Sequence, residues 1–308
     1  MTTTIRLAGY QGDRSVHSRA MHVLCDALKG HGVDVQFEQN IVEQGHKASE
    51  LLARTQSGAI DGCYFSSSYL AERAPNLGLF DQHFVIPSRQ HAWALLDGEL
   101  GARLTDEVAQ CAGFEILGYW DNGVRHISAR RPIRQPDDCK ELAIRTLAND
   151  AHQRVFRSLG FEPTTIDVRD LPAAVAEFRV DAQENPLTNT YNFGVHNTHR
   201  HITLTGHLFG VAPLLFNKDS VRAWPDAIRN AVNKAIAKAT VEQRRMAEED
   251  DVVCARTLLD EGCELITLND AEREAFVTVT RTAVMAMREN FDAEMFALFE
   301  RGLARGPR

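Results

Sequence analysis

Apolar and polar positions alternate through Thr4-Ile5-Arg6-Leu7-Ala8-Gly9, which predicts a strand near the start of the chain. Val16, Ala20, Val23, Leu24, Ala27 and Leu28 then fall at helical spacing over residues 15–29, with Gly30 as a stop. Val33, Val35 and Phe37 alternate through a second strand, residues 48–55 read as a helix closed by Gly58, and residues 59–65 read as a third strand. Strands and helices alternating at this spacing predict a parallel α/β unit. The ligand edge of such a unit lies beyond the carboxyl ends of its strands. Those ends carry Tyr10-Gln11-Gly12 and Phe65-Ser66-Ser67-Ser68.

A second α/β series follows. Residues 115–120 and 124–129 read as two strands separated by an Asp121-Asn122-Gly123 turn, a plausible crossing between domains. Ala143-Ile144-Arg145-Thr146 reads as another strand, followed by a helix up to Leu159-Gly160. A short strand at 164–167, a helix at 171–178, a strand at 180–185 and a strand at 202–205 complete the series. The last third is helical. Residues 226–261 contain neither Gly nor Pro, with Trp224-Pro225 opening the segment and Gly262 closing it. Ile228, Val232 and Ile236 form an apolar stripe along it. Unbroken, the segment would run about 54 Å, whereas a domain of about 150 residues is only about 30–40 Å across. It must kink, overhang one domain or run across two. A final helix is predicted over about 270–303.

Composition narrows the function. The chain has 308 residues, enough for roughly two domains, and a formal net charge of −8. That acid excess argues against nucleic acid or an anionic membrane as the main partner. The apolar share of 44% is ordinary for a globular protein and excludes a disordered chain. No run of 18 apolar residues is present to span a bilayer. The N-terminus lacks a basic stretch followed by an apolar one, so either a cytosolic protein or a chain without its signal peptide is expected. Cys25, Cys63, Cys111, Cys139, Cys254 and Cys263 show no C-x-x-C or zinc-like spacing and read as small core residues. Cys254 and Cys263 are available as a disulfide pair in an oxidising compartment.

Enzyme signatures are missing. Gly9-Tyr10-Gln11-Gly12-Asp13 does not fit G-x-G-x-x-G, and neither a P-loop nor a G-x-S-x-G elbow occurs. His196, His199 and His201, with His207 nearby, could suggest zinc, but the segment lacks a carboxylate or thiol and includes Arg200. It reads better as a solvated connection. Glu248, Glu249, Asp250 and Asp251 read as a solvated helix face. No catalytic residue and no cofactor are expected.

The basic residues of the middle region say more. Arg125 follows Gly123, Arg145 ends a strand, and Asn185 ends another in Asp181-Ala182-Gln183-Glu184-Asn185-Pro186. If these strands are parallel neighbours, the three side chains converge on one cleft. Guanidinium forks pair with carboxylates through two parallel hydrogen bonds, and an amide adds a neutral donor and acceptor. Such a site would bind an anion and release it unchanged.

At this point the sequence resembles the periplasmic solute-binding subunit of tripartite ATP-independent periplasmic (TRAP) transporters, in the C4-dicarboxylate-binding-protein branch. The resemblance covers nearly the whole chain. It is carried by Gly118-Tyr119-Trp120-Asp121-Asn122-Gly123-Val124-Arg125-His126, Arg131-Pro132-Ile133, Pro136-Asp137-Asp138, Ile144-Arg145-Thr146 and Leu159-Gly160. It continues in the string from Asp181 to Pro186 and in Leu204-Thr205-Gly206-His207. It implies a two-domain α/β, periplasmic-binding-protein-like fold of the class II type, with a ligand cleft between the domains and a long bridging helix. Residues 1–122 with about 208–250 would form the first domain, 123–207 with about 251–308 the second, and the helix at about 225–261 would span both. The resemblance further implies that Arg145 holds a ligand carboxylate in a two-pronged salt bridge, assisted by Arg125 and Asn185. Tyr10, Gln11 and Ser66 would line the opposite wall and select the ligand. Departures from the family pattern, at Glu141, Ala182 and Thr146-Leu147, neighbour these positions.

The implied function is an extracytoplasmic solute-binding protein that carries a small organic acid to TRAP membrane permease subunits. It would act as a periplasmic monomer, with no metal and no nucleic acid. Two alternatives share the cleft: a sensory organic-acid-binding protein, and an α/β enzyme acting on a carboxylic acid, for which His17 or His207 would be the base. The ligand itself stays open among dicarboxylates, keto or hydroxy acids, sugar acids and aromatic acids, with Val168, Phe209 and Ser66 as further wall residues.

Overall fold

The computed structural model describes residues 2–307. The first half contains β1 (Thr3–Ala8), α1 (Val16–Leu28), β2 (Val33–Glu38), α2 (Glu50–Gln56), β3 (Gly62–Tyr64), α3 (Arg89–Leu96), α4 (Glu99–Cys111) and β4 (Phe114–Ala129). Next come β5 (Ala143–Thr146), α5 (Asp150–Ser158), β6 (Glu162–Thr165), α6 (Leu171–Ala176), β7 (Ala182–Pro186), α7 (Leu187–Asn192) and β8 (His201–Asn217). The chain ends in α8 (Lys218–Ala223), α9 (Asp226–Asp260), β9 (Glu264–Ile266), α10 (Asp270–Ala286) and α11 (Ala293–Arg305).

One hydrogen-bonded sheet runs through the molecule in the order β2-β1-β3-β8-β4-β7-β5-β6, with β9 also paired to β8. The opening unit is parallel as predicted: β1 pairs in parallel with β2 and with β3. The sheet is mixed at its centre, where β4 runs antiparallel to both β8 and β7. The strand bearing Arg125 is therefore antiparallel to the one bearing Asn185, not parallel as the convergence argument assumed, while β5 and β7 are parallel.

Asp121-Asn122-Gly123 is not a turn between two strands. The residues form an irregularity inside the single 16-residue strand β4, whose register against β8 shifts between Asp121 and Val124. Gly123 takes φ +79°, and its N–H donates to Asp121 Oδ1 at 2.6 Å, so the local geometry of a turn is present without reversing the chain. Likewise the strand expected at 202–205 continues to Asn217, through Gly206, Gly210 and Pro213. At Gly210 a side chain would meet Asn122 O at 2.9 Å, so glycine there permits close approach of the two long strands.

Two main apolar cores flank the crossing strands. One gathers Leu7, Leu24, Phe114, Trp120 and Phe216, and the other Ile127, Ile144, Phe156 and Phe276. Helix α9 is one uninterrupted 35-residue element, about 52 Å long. Its Ile228, Val232 and Ile236 enter the first core, whereas Cys254 and Leu258 pack far along the helix with Leu187, Ile202 and Cys263. The helix thus bridges the two halves. Its acidic run is more than a solvated face. Asp250 meets Arg19 of α1 at 2.5 Å, Asp251 pairs with Arg89 of α3, and Gln90 donates to Glu248 at 2.9 Å. The predicted last helix breaks at 287–292, and Met295 and Phe299 of α11 pack in the first core, whereas the resemblance implied that about 251–308 belongs to the second domain. The six cysteines are free thiols, including Cys254 and Cys263.

Candidate ligand-binding site

The carboxyl end of β1, the β3 exit and the segment after β5 face one another across a narrow cleft. Tyr10, Phe65, Ser66 and Tyr69 form one side, and Arg125, Arg145, Leu147, Asp167, Val168, Asn185, Asn189 and Phe193 contribute the rest, with Ala48 and Asn122. The walls stand so close that little more than an ordered water fits without their parting.

Five of the six residues expected at the site line this cleft: Arg145, Arg125, Asn185, Tyr10 and Ser66. Gln11 lies behind the lining. Its Nε2 donates to Asn189 Oδ1 at 3.1 Å and its Oε1 accepts from Ser15 Oγ, so it orients a wall residue rather than forming the wall. Of the other wall residues suggested by the sequence, Val168 lines the cleft and Phe209 is packed in the first core instead. His17 is also in the core, stacked on Tyr64 with no hydrogen-bond partner at either ring nitrogen, and burial lowers it to about 3.

The two arginines are equally hidden, each 1% exposed, yet their surroundings differ. Arg125 is neutralised inside the protein. Its Nε and Nη2 both bond the Glu184 carboxylate, the latter at 2.9 Å, and Nη2 also reaches Glu184 O at 2.7 Å and Asn185 Oδ1 at 3.2 Å. Burial alone would raise the Glu184 carboxyl, but the Arg125 guanidinium holds it well below the usual range. His152 Nε2 and His207 Nε2 lie 3.3 and 3.4 Å from the same carboxylate, and His83 Nε2 lies 2.9 Å from His152 Nδ1. Burial lowers His207 to about 4, and Thr205 Oγ1 contacts its Nδ1 at 2.7 Å. His207 is therefore a fixed member of this buried cluster.

Arg145 has no carboxylate partner among the described residues. Nε donates to Ile166 O at 2.9 Å, and the buried Nη2 bonds nothing. A buried cation without a counter-charge is costly, and one that lines a cleft is a ready anion site. Asp167, which shares the cleft, is occupied elsewhere: it accepts from the Ala48 and Ser49 N–H groups, from Ser49 Oγ at 3.1 Å and from the Arg169 N–H at 3.0 Å.

The neutral groups are similarly divided. Asn185 is held by Arg125 and by Gln183 Oε1 at 2.5 Å. Asn122 Oδ1 is buried without a partner. Burial also raises the Tyr10 hydroxyl well above its ordinary range, so it is a neutral donor. Sequence reasoning missed Asn122, Asn189, Tyr69 and Asp167 as wall residues. Asn122 was hidden because Asp-Asn-Gly reads as a turn, and Asn189 because nothing in its sequence marks the first turn of α7 as facing a cleft.

A family model described as bacterial extracellular solute-binding protein, family 7, matches residues 32–290. The chain belongs to that family. It is 29% identical over 225 residues to a solute-binding protein of Verminephrobacter eiseniae, covering 73% of this chain and 67% of the relative. It is 25% identical over 279 residues to the C4-dicarboxylate-binding periplasmic protein of Rhodobacter capsulatus, covering 89% and 82% respectively. Among solved structures, the sugar acid binding protein of Advenella mimigardefordensis in complex with galactonate superposes with a TM-score of 0.94 at 21% identity, covering 99% of this chain and 98% of that one. The fold is therefore the two-domain fold of TRAP periplasmic solute-binding proteins, and family and neighbours alike are binding proteins rather than enzymes.

Proposed function

We propose that this family 7 solute-binding protein captures a small organic acid in the periplasm by pairing its carboxylate with Arg145, then delivers it to the membrane permease of a TRAP transporter. The observation that carries the reading is the guanidinium of Arg145, buried in the cleft wall with Nη2 unpartnered. A ligand carboxylate would supply both the missing acceptors and the missing charge, through two parallel, charge-assisted hydrogen bonds. Asn185 and Asn122 would then contact the rest of the ligand, with Tyr10 and Ser66 on the facing wall. Arg125 contributes a donor edge already steered by Glu184 and Asn185. A relative described as a C4-dicarboxylate-binding protein and a structural neighbour in complex with galactonate support an organic acid as the cargo class.

Capture would proceed by parting of the cleft walls, entry of the anion and closure about the crossing strands β4 and β8, near the irregularity at Asp121–Val124. Division of the domains near 122/123 and 207/208 would place that hinge on both strands. Closure removes water from the ion pair and strengthens it. Nothing in this scheme requires a base or nucleophile, and the acid is returned unchanged. A thermal-shift screen of organic acids tests the proposal. At least one acid should raise the melting temperature of the native protein and fail to do so for Arg145→Ala, and it should be recovered chemically intact. An unchanged response in that variant would refute the carboxylate role.

A further inference from the structure

The charge arrangement around the cleft identifies the acid more narrowly, given the organic-acid reading on which this inference rests. Two arginines suggest a dicarboxylate, but only one of their charges is unspent. Arg125 and Glu184 form a bidentate pair with side chains 1% and 0% exposed, so together they present no net charge to the cleft. Arg145 has no such partner. The remaining ionised group of the lining is the carboxylate of Asp167, and no lysine or third arginine lines the space. Lys47, Arg169 and Arg179 lie in a neighbouring open hollow beyond Asp167, where Arg169 pairs with Asp170 and Arg179 with Glu177.

The first ligand carboxylate therefore meets a free cation. A second would meet neutral amides and hydroxyls, with Asp167 on the same wall. Neutral donors can hydrogen-bond a carboxylate but do not offset the cost of taking its charge out of water. The unclaimed neutral groups favour a different chemistry. The Asn122 amide makes no side-chain hydrogen bond among the described residues, and neither does the Ser66 hydroxyl, while Tyr10 offers a neutral phenol. These suit hydroxyl or keto oxygens. We infer that the cleft is built for a monocarboxylate bearing neutral hydroxyl or keto groups and discriminates against dicarboxylates, because its lining offers a single unspent cation, Arg145, with the Asp167 carboxylate beside it.

Calorimetric titration of the full chain with matched pairs tests this. Suitable pairs are malate with its monoamide and monocarboxylates such as glycerate, 2-oxobutanoate and galactonate against succinate and oxaloacetate. The expected result is a monocarboxylate bound at least tenfold more tightly than any dicarboxylate, and a monoamide bound clearly more tightly than its parent diacid. Glu184→Gln, which keeps a hydrogen-bonding group and removes the charge, should shift the ratio toward dicarboxylates. The native comparison stands even if that variant does not fold. A dicarboxylate bound by the native protein as tightly as its monoamide, with Arg145→Ala abolishing both, overturns this inference and leaves the organic-acid reading intact. Binding of either class that survives Arg145→Ala overturns the organic-acid reading itself.

Discussion

Arg125 and Arg145 provide an internal control, because they are equally buried and oppositely partnered. Replacing Arg125 with Ala strands the Glu184 carboxylate, which is 0% exposed, without its bidentate cation. Breaking a buried pair by removing one member costs about 3–5 kcal/mol, because the survivor's charge is left uncompensated. At about 2–4 °C per kcal/mol for a protein of this size, the melting temperature should fall by about 6–20 °C. Replacing Arg145 with Ala strands no charge. It forfeits the Nε bond to Ile166 O, worth about 1 kcal/mol, and relieves the cost of keeping an unpaired guanidinium out of water. The two effects oppose each other, so the ligand-free stability should stay within about 1 kcal/mol of the parent. Urea unfolding without ligand, followed through the fluorescence of Trp93, Trp120 and Trp224, separates the outcomes. Equal losses in both variants would refute the assignment of one arginine to the fold and the other to the ligand, as would a greater loss for Arg145→Ala.

Three further outcomes follow from the geometry. Arg145→Ala should weaken binding of whichever acid the native protein binds by about 30-fold or more, since truncating one partner of a buried, hydrogen-bonded charge pair costs about 2–5 kcal/mol; calorimetry checks this. His17 is held at about 3 in the folded chain by burial and titrates near 6.5 when unfolded, so the unfolded state takes up the proton first as pH falls. Native stability should therefore decline as pH drops from about 6.5 toward 3, His17 alone accounting for about 2 kcal/mol at pH 5, and His17→Phe should lessen the fall of the urea midpoint by that share, leaving the part due to other buried histidines such as His207. At Gly123, φ is +79° and a Cβ would lie 2.5 Å from Pro186 Cβ, next to Asn185. Gly123→Ala should cost more than about 1 kcal/mol in thermal unfolding and also weaken ligand binding, because the strained bulge and the β7 end that carries Asn185 would both shift.

The outer α/β unit was legible chiefly because β1 and α1 each bury one face. Alternation in β1 and helical spacing in α1 report that directly, and the absence of Gly and Pro over 226–261 made α9 legible as one long helix, although its own residues left open whether it kinks, overhangs one domain or runs across two. The centre of the sheet was not. β4 and β8 look broken because Gly123, Gly206, Gly210 and Pro213 interrupt their alternation, yet those residues accommodate irregularities and close approach within strands flanked on both sides. The antiparallel direction of β4 is a tertiary choice that its own residues do not encode. At the site, strand-end polar residues pointed to Tyr10, Ser66, Arg145 and Asn185, all four of which line the cleft. The different state of Arg125 depended on Glu184, an adjacent acid in the same Gln-Glu-Asn-Pro string, whose side chain had to be seen meeting the guanidinium across the β4–β7 pairing. Gln11 similarly shares its strand end with Tyr10 but turns toward Asn189.

The most direct test is a crystal structure with the organic acid that gives the largest thermal shift. The account predicts carboxylate oxygens about 2.7–2.9 Å from the Arg145 guanidinium nitrogens, with the Arg125–Glu184 pair intact behind them. A carboxylate bound elsewhere in the cleft, with Arg145 Nη2 still unpartnered, would contradict it.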